Sequence, residues 1–271
     1  MIVVTGATGK VGGGLVRLLA AAGEQVTAVS RRPAPLPEGV RHSAADLGDP
    51  AGLKAAFDGA DALFLLVAGQ EPQAVLKAAE AGGIGRVVLL SSQGAGTRPE
   101  VYEHPVAFEE AVRGSGLEWT ILRPGGFHSN ALAWAEPIRA HRTAAAPFGD
   151  VALPTVDPAD LAEVAAVVLR EGGHAGRTYT LTGPRPVTPR ERAAAIGAAL
   201  GEEVRFVEQT REEARGQMLQ FMPEPVVEGT LAILGTPTPA EQQVSPDVER
   251  ILGRAPGDFA DWAARNVAAF R

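Results

Sequence analysis

Residues 1–15, MIVVTGATGKVGGGL, decide how the rest of the chain is read. A short apolar run, Ile2 to Val4, breaks into a glycine-studded turn. The residues after it carry Val11, Leu15, Leu18, Leu19 and Ala22 at helical spacing. Gly6, Gly9 and Gly12 stand three apart, as G-x-x-G-x-x-G. A pyrophosphate needs such a turn: backbone N–H groups approachable without side chains in the way, at the positive end of a helix dipole. Gly12 would let helix and strand pack closely. A chain with 32 glycines also produces such trios as plain strand-to-helix connections, so the turn is weighed with its surroundings.

Outward from the turn, strand-like and helical stretches alternate. Residues 2–5, 25–30, 40–42, 62–67, 86–91 and 119–122 read as strands, and 11–22, 51–57, 72–81 and 106–113 as helices. Asp49-Pro50 opens the helix at 51–57, a cap followed by a first-turn proline. Apolar strands at βαβ spacing imply a parallel sheet covered on both faces. Past residue 123 the pattern loosens. Helices are expected at 160–169, 189–200 and 256–270, with strands at 178–181 and 204–207. The expected fold class is α/β: a Rossmann-type doubly wound parallel sheet with a smaller C-terminal substrate-binding part. Residues 1–125 would form the nucleotide-binding Rossmann core. Residues 126–271 would supply the interleaved remainder of that core and a smaller α/β cap. The substrate cleft would lie outside the carboxyl ends of the strands.

The second strand sharpens the ligand. NAD enzymes usually place an acidic residue about 20 residues past the turn to hold the ribose 2′-hydroxyl. Here the strand ends in VSRRP, with Ser30, Arg31 and Arg32 at that place. Two guanidinium groups pair bidentately with a 2′-phosphate, which points to NADP(H) ahead of NAD(H); two solvated surface arginines are the plain alternative. Asp46 follows the third strand, where its carboxylate would accept from the adenine amino group or merely cap a turn. Ala7, Thr8, Lys10 and Val11 belong to the same turn, and Leu47 and Val67 sit at neighbouring strand ends, so they complete the expected cofactor contacts.

Composition narrows the class. The 271 residues are 45% hydrophobic with a formal net charge of −7. An acidic chain lacks the basic face of a nucleic-acid protein. There is no cysteine, so thiolate chemistry is excluded. No run approaches the roughly 20 apolar residues of a membrane span, and no basic region precedes Ile2 as in a signal peptide. A cytoplasmic protein binding a small, apolar or aromatic molecule is expected, as monomer or homodimer.

TGATGKVG, SRRP, VVLLSS, SGLEWTILRPGGF, VDPADLAEVAA and YTLTGP together resemble the NmrA-like group of atypical short-chain dehydrogenases/reductases, from residue 1 to about 210. That resemblance implies a Rossmann fold binding NADP(H) or NAD(H), in quinone, dye and isoflavone-type reductases or in non-catalytic redox-sensing regulators. It implies that GATGKVG holds the pyrophosphate and that Arg31 meets the 2′-phosphate. It also implies that Pro124, Gly125, Gly126 and Phe127 lie near the nicotinamide. The stretch from Asp157 to Asp160 reads as structural, with Asp160 beginning a helix.

One departure bears on chemistry. Short-chain dehydrogenases use Tyr-x-x-x-Lys on a helix, the ammonium lowering the phenol's pKa so that it protonates the carbonyl oxygen. Here Val106 stands four residues after Tyr102, and no lysine follows Lys77. Pro105 places Tyr102 in the loop before the helix. Tyr102 and His104 remain candidate proton donors, since imidazole titrates near neutrality. Ser91 and Ser92 end the fifth strand within reach of nicotinamide or substrate. His128 and Asn130 follow at the expected cleft edge, and Trp134, Phe148, Met218, Phe221 and Met222 are candidates for an apolar substrate wall. The five histidines show no metal-ligand spacing, and G-x-S-x-G and the P-loop G-K-[ST] are missing. The leading expectation is an NADP(H)-dependent oxidoreductase moving hydride to or from a quinone or conjugated carbonyl compound. A non-catalytic NADP(H)-binding sensor is the alternative, and sugar-nucleotide epimerisation is weakened by the same missing lysine.

Overall fold

The computed structural model describes residues 1–271. The first half runs β1 (Ile2–Thr5), α1 (Lys10–Ala21), β2 (Val26–Ser30), β3 (Arg41–Ala44), α2 (Pro50–Phe57), β4 (Ala62–Leu66) and α3 (Pro72–Ala81). It continues through β5 (Arg86–Leu90), α4 (Gly94–Thr97), α5 (Glu103–Arg113) and β6 (Glu118–Pro124). A 3₁₀ segment, His128–Trp134, leads into α6 (Ala135–His141), β7 (Thr143–Pro147), α7 (Pro158–Arg170), β8 (Arg177–Leu181), α8 (Pro189–Leu200) and β9 (Arg205–Gln209). Then follow α9 (Arg211–Met218), α10 (Glu224–Gly235), α11 (Pro239–Gln242), α12 (Asp247–Leu252), α13 (Phe259–Arg265) and a last 3₁₀ turn, Val267–Phe270.

Seven strands form one sheet in the order β3-β2-β1-β4-β5-β6-β8, every pair parallel. Successive residues of one strand feed opposite cores. Val4, Phe64 and Val88 meet Leu15 and Leu19 of α1 and Leu161 and Val164 of α7. Val3, Leu63, Leu65 and Leu89 meet Phe57 of α2, Val75 of α3 and Phe108 of α5. Each such buried side chain contributes roughly 1.5–3 kcal/mol. The strands read as unbroken apolar runs because both faces are covered. Helices α1 and α7 cross closely because Gly14 lies against Ala162. The second half returns α7 and β8 to this sheet and builds a separate parallel pair, β7–β9, over a third core that includes Ile138, Ile196, Phe259 and Trp262.

Chain order reverses between β1 and β4, the switch point where a crevice opens beyond the strand ends. Two expectations needed adjustment, and one strand was not foreseen. Helix α5 begins at Glu103 because Pro105 is tolerated in a first turn; Tyr102 is its N-cap residue. The helix expected over 256–270 is shorter: Asp258 caps α13 through the Ala260 N–H, and Asn266 ends it. Strand β7, with sequence TAAAP, has no apolar alternation to betray it.

Candidate functional site

The glycine turn forms the floor of a cleft of about 420 Å³. Its wall takes Gly6, Thr8 and Gly9 from the turn, Val29, Ser30 and Arg31 from the end of β2, and Ala45, Asp46 and Leu47 from the end of β3. Leu66, Ala68 and Gly69 close it beyond β4. Gly6 has φ +61, and a Cβ there would overlap Leu66; a Cβ on Gly12 would overlap the Gly6 carbonyl. The turn therefore closes only on glycine. Helix α1 starts at Gly9 with no side-chain cap, whereas α7, α8, α9 and α13 are capped by Asp157, Thr188, Thr210 and Asp258. The N–H groups of Thr8, Lys10, Val11 and Gly12 are left without a partner in the chain. Neither Arg31 nor Arg32 makes an ion pair or a side-chain hydrogen bond, and both are exposed. Unpaired donors, a side-chain-free cradle and two free guanidinium groups fit a phosphorylated dinucleotide.

Individual residues divide. Ala7 is buried and spends its N–H on Val29, and the Val11 side chain lies in the core. Asp46 faces the cleft while one carboxylate oxygen accepts the Gly48 N–H. Val67, half-buried, packs against the core, and its neighbours Leu66 and Ala68 line the cleft.

The ends of β5 and β6 are organised differently. Ser91 donates to Glu109 Oε1 at 2.6 Å. Arg123 binds both carboxylate oxygens, at 2.8 and 2.6 Å, and Arg113 adds a third guanidinium bond at 2.8 Å. Glu109 is 1% exposed. Burial pushes its pKa up, but the bonds from Arg123, Ser91 and Arg113 outweigh burial and hold it below the usual carboxylate range. Ser92 accepts the Gly94 N–H. His104 Nε2 lies 2.7 Å from the Gly69 carbonyl; a carbonyl only accepts, so this nitrogen carries the proton. The Tyr102 ring covers Gly94, and burial raises the pKa of its phenol. Gly125 donates to the Leu181 carbonyl, Pro124 ends β6, and Phe127 packs at the edge of the sheet core. A second cavity of about 320 Å³ adjoins Gln93, Thr97, Arg123, Thr180 and Asp247.

Other candidates lie away from these openings. His128 is 1% exposed, not at a cleft edge. Its Nδ1 meets Thr155 Oγ1 at 2.8 Å, its Nε2 the Gly257 carbonyl at 3.3 Å, and its ring stands edge-on to Phe259. Trp134 donates to Ala145 under Arg192. Phe148, Met218 and Met222 gather around Ala214, Val227 and Leu231, while Phe221 is 73% exposed and Asn130 is exposed. Asp157 and Asp160 are structural: one caps α7 and pairs with Arg265, the other holds Arg254 and the Gly257 N–H. Sequence reasoning missed Glu109 and Arg123. The signal was present, since Glu109 sits between Phe108 and Val112 on the buried stripe of α5.

A switch-point cleft over a glycine turn defines a dinucleotide-binding Rossmann protein. The chain belongs to the NAD(P)H-binding family, which it matches over residues 6–171. It is 38% identical, over 100% of this chain and 99% of the relative, to the (4-alkanoyl-5-oxo-2,5-dihydrofuran-3-yl)methyl phosphate reductase of Streptomyces griseus. It is 34% identical, over the same shares, to the NAD(P)H azoreductase of Xenophilus azovorans. The NADPH complex of quinone oxidoreductase QOR2 from Escherichia coli superposes with a TM-score of 0.82 at 25% identity, covering 98% of this chain and 99% of that one. The solved structure of NmrA with NADP, at 19% identity and a TM-score of 0.77 over 98% of this chain and 95% of that one, shares the fold.

Proposed function

We propose that the protein is an NADPH-dependent reductase of conjugated acceptors, quinones or α,β-unsaturated carbonyl compounds, without a dedicated proton-donating side chain. The support is the bonding state of the two candidate donors. The His104 Nε2 proton is given to Gly69, and burial raises the pKa of the Tyr102 phenol instead of lowering it. No ammonium stands one turn along α5, where Val106 is. An acceptor that spreads the incoming charge over a conjugated system and takes its proton from water suits such a site.

Gly6, Gly9 and the N–H groups of Thr8, Lys10, Val11 and Gly12 would hold the pyrophosphate, and Arg31 the 2′-phosphate. NADPH, when bound, supplies hydride. Ser91, its proton committed to Glu109, offers only lone pairs to whatever lies above β5. The polar cavity at the ends of β5 and β6, bordered by Arg123 and Gln93, would admit the acceptor. The relatives named as acting on a dihydrofuranone phosphate and on azo compounds support this class.

The test follows NADPH oxidation with a quinone, an azo dye, an unsaturated lactone and a saturated ketone. Turnover is expected with the conjugated acceptors and not with the ketone. Tyr102→Phe should stay within about twofold of wild type, where loss of a general acid would cost about 100-fold or more. Binding of NADPH without turnover on any acceptor would favour a non-catalytic sensor, the reading that the closed hydrogen bonding of Ser91 and His104 otherwise supports.

A further inference from the structure

The arginine turn after β2 is held by hydrogen bonds that begin on the neighbouring strand. The Ser30 hydroxyl lies 2.7 Å from the Arg32 carbonyl and 3.0 Å from His42 Nε2. A carbonyl cannot donate, so the hydroxyl proton of Ser30 is committed to Arg32. The second contact then has one consistent assignment: His42 Nε2–H donates to the Ser30 oxygen. Strand register places His42 opposite Ala28, on the face of β2 that Ser30 shares two residues further on. Ser30 is buried, at 8% exposure, so water competes poorly for these bonds. The chain from His42 through Ser30 thus anchors the carbonyl just past Arg31. Arg31 itself lines the cleft with no partner of its own.

We propose that His42 is a selectivity residue for the cofactor. By donating to Ser30 it holds the turn that presents Arg31, and so sustains the preference for an adenosine bearing a 2′-phosphate. The inference rests on reading the cleft as an NADP(H) site. His42 is a positioning residue: it acts through Ser30 and the Arg32 carbonyl without touching the ligand. A guanidinium held on a fixed turn loses less freedom on binding than one on a loose turn, and the difference falls on the phosphate it meets. The rest of the nucleotide, held by the glycine turn, would be indifferent.

Calorimetric titration of the full chain with adenosine 2′,5′-bisphosphate and with adenosine 5′-monophosphate separates these effects without any turnover. The wild type should prefer the bisphosphate. His42→Leu should weaken the bisphosphate by about fivefold, the worth of one net hydrogen bond, and leave the monophosphate unchanged. His42→Gln, whose amide can still donate to Ser30, should recover most of the loss. Ser30→Ala breaks the same chain without altering β3 and should reproduce His42→Leu, which keeps the test decisive if that variant folds poorly. Equal losses for both ligands, or no rescue by glutamine, would overturn the role of His42 while wild-type discrimination left the NADP(H) reading intact. A wild type indifferent to the 2′-phosphate would overturn both.

Discussion

The two ends of the strand-end crevice handle polar groups in opposite ways. At the β1–β2 end, donors are left open: four backbone N–H groups of the glycine turn lack partners, and Arg31 and Arg32 carry charge with no carboxylate near enough to pair. At the β5–β6 end, donors and acceptors are consumed internally. Ser91, Arg113 and Arg123 converge on one carboxylate, and His104 binds Gly69. Unpaired polar groups on a rigid scaffold await a ligand that completes them; a saturated network instead fixes the geometry of what passes over it. The first end is built to recognise. The second is built to hold its shape, consistent with a reaction asking little acid–base work of its side chains.

The comparison breaks most visibly at Glu109. Its replacement by alanine leaves Arg123, 23% exposed, without its counter-charge. The cost is expected at about 3–5 kcal/mol, the range for breaking a buried pair by removing one partner. Arg31→Ala should stay within about 0.5 kcal/mol of wild type, as an exposed side chain free of contacts. Urea unfolding of both variants checks the contrast. A Glu109→Ala protein as stable as Arg31→Ala would mean that the β5–β6 network does not hold the site rigid.

The next effect reverses the order. Arg31→Ala should weaken NADPH by about 10–100-fold, the loss of hydrogen bonds to a charged group, and leave NADH unchanged. The wild-type preference should also shrink as salt rises, because the guanidinium is exposed. Equal losses for both cofactors would remove the 2′-phosphate assignment and leave the arginines as solvated surface groups.

The same contrast explains what the sequence could reveal. A glycine trio after an apolar strand and two arginines at the end of the next are local patterns, and the recognition end is made of such patterns. The sheet was legible for a similar reason: strands buried on both faces show as apolar runs. The saturated end is assembled from residues far apart in the chain. Glu109 and Arg123 are 14 residues apart, and Arg98 and Glu241, which pair beside them, lie on elements whose meeting depends on how the second half folds back. Nothing in TAAAP announces a strand, and nothing around Met218 announces that it would pack with Phe148 rather than face a substrate.

His128 yields the smallest of the effects and sharpens the same point, because the sequence places it at the cleft and the fold closes it away. Its Nε2 faces the Gly257 carbonyl and must donate, so in the neutral ring Nδ1 accepts from Thr155 Oγ1. Burial lowers its pKa below the ordinary imidazole value, so the folded chain keeps the ring neutral where the unfolded chain takes a proton. Unfolding then binds protons as pH falls below about 6.5, and stability falls with it until the folded-state pKa is reached. Above that window the contribution is fully present. Urea unfolding between neutral and mildly acidic pH should show this loss in wild type. His128→Leu, although less stable throughout because Thr155 and Gly257 lose a partner, should have a flatter profile over the same window. An unchanged slope would mean that the ring titrates freely in the folded protein, and that the β6 end is more open than its hydrogen bonds imply.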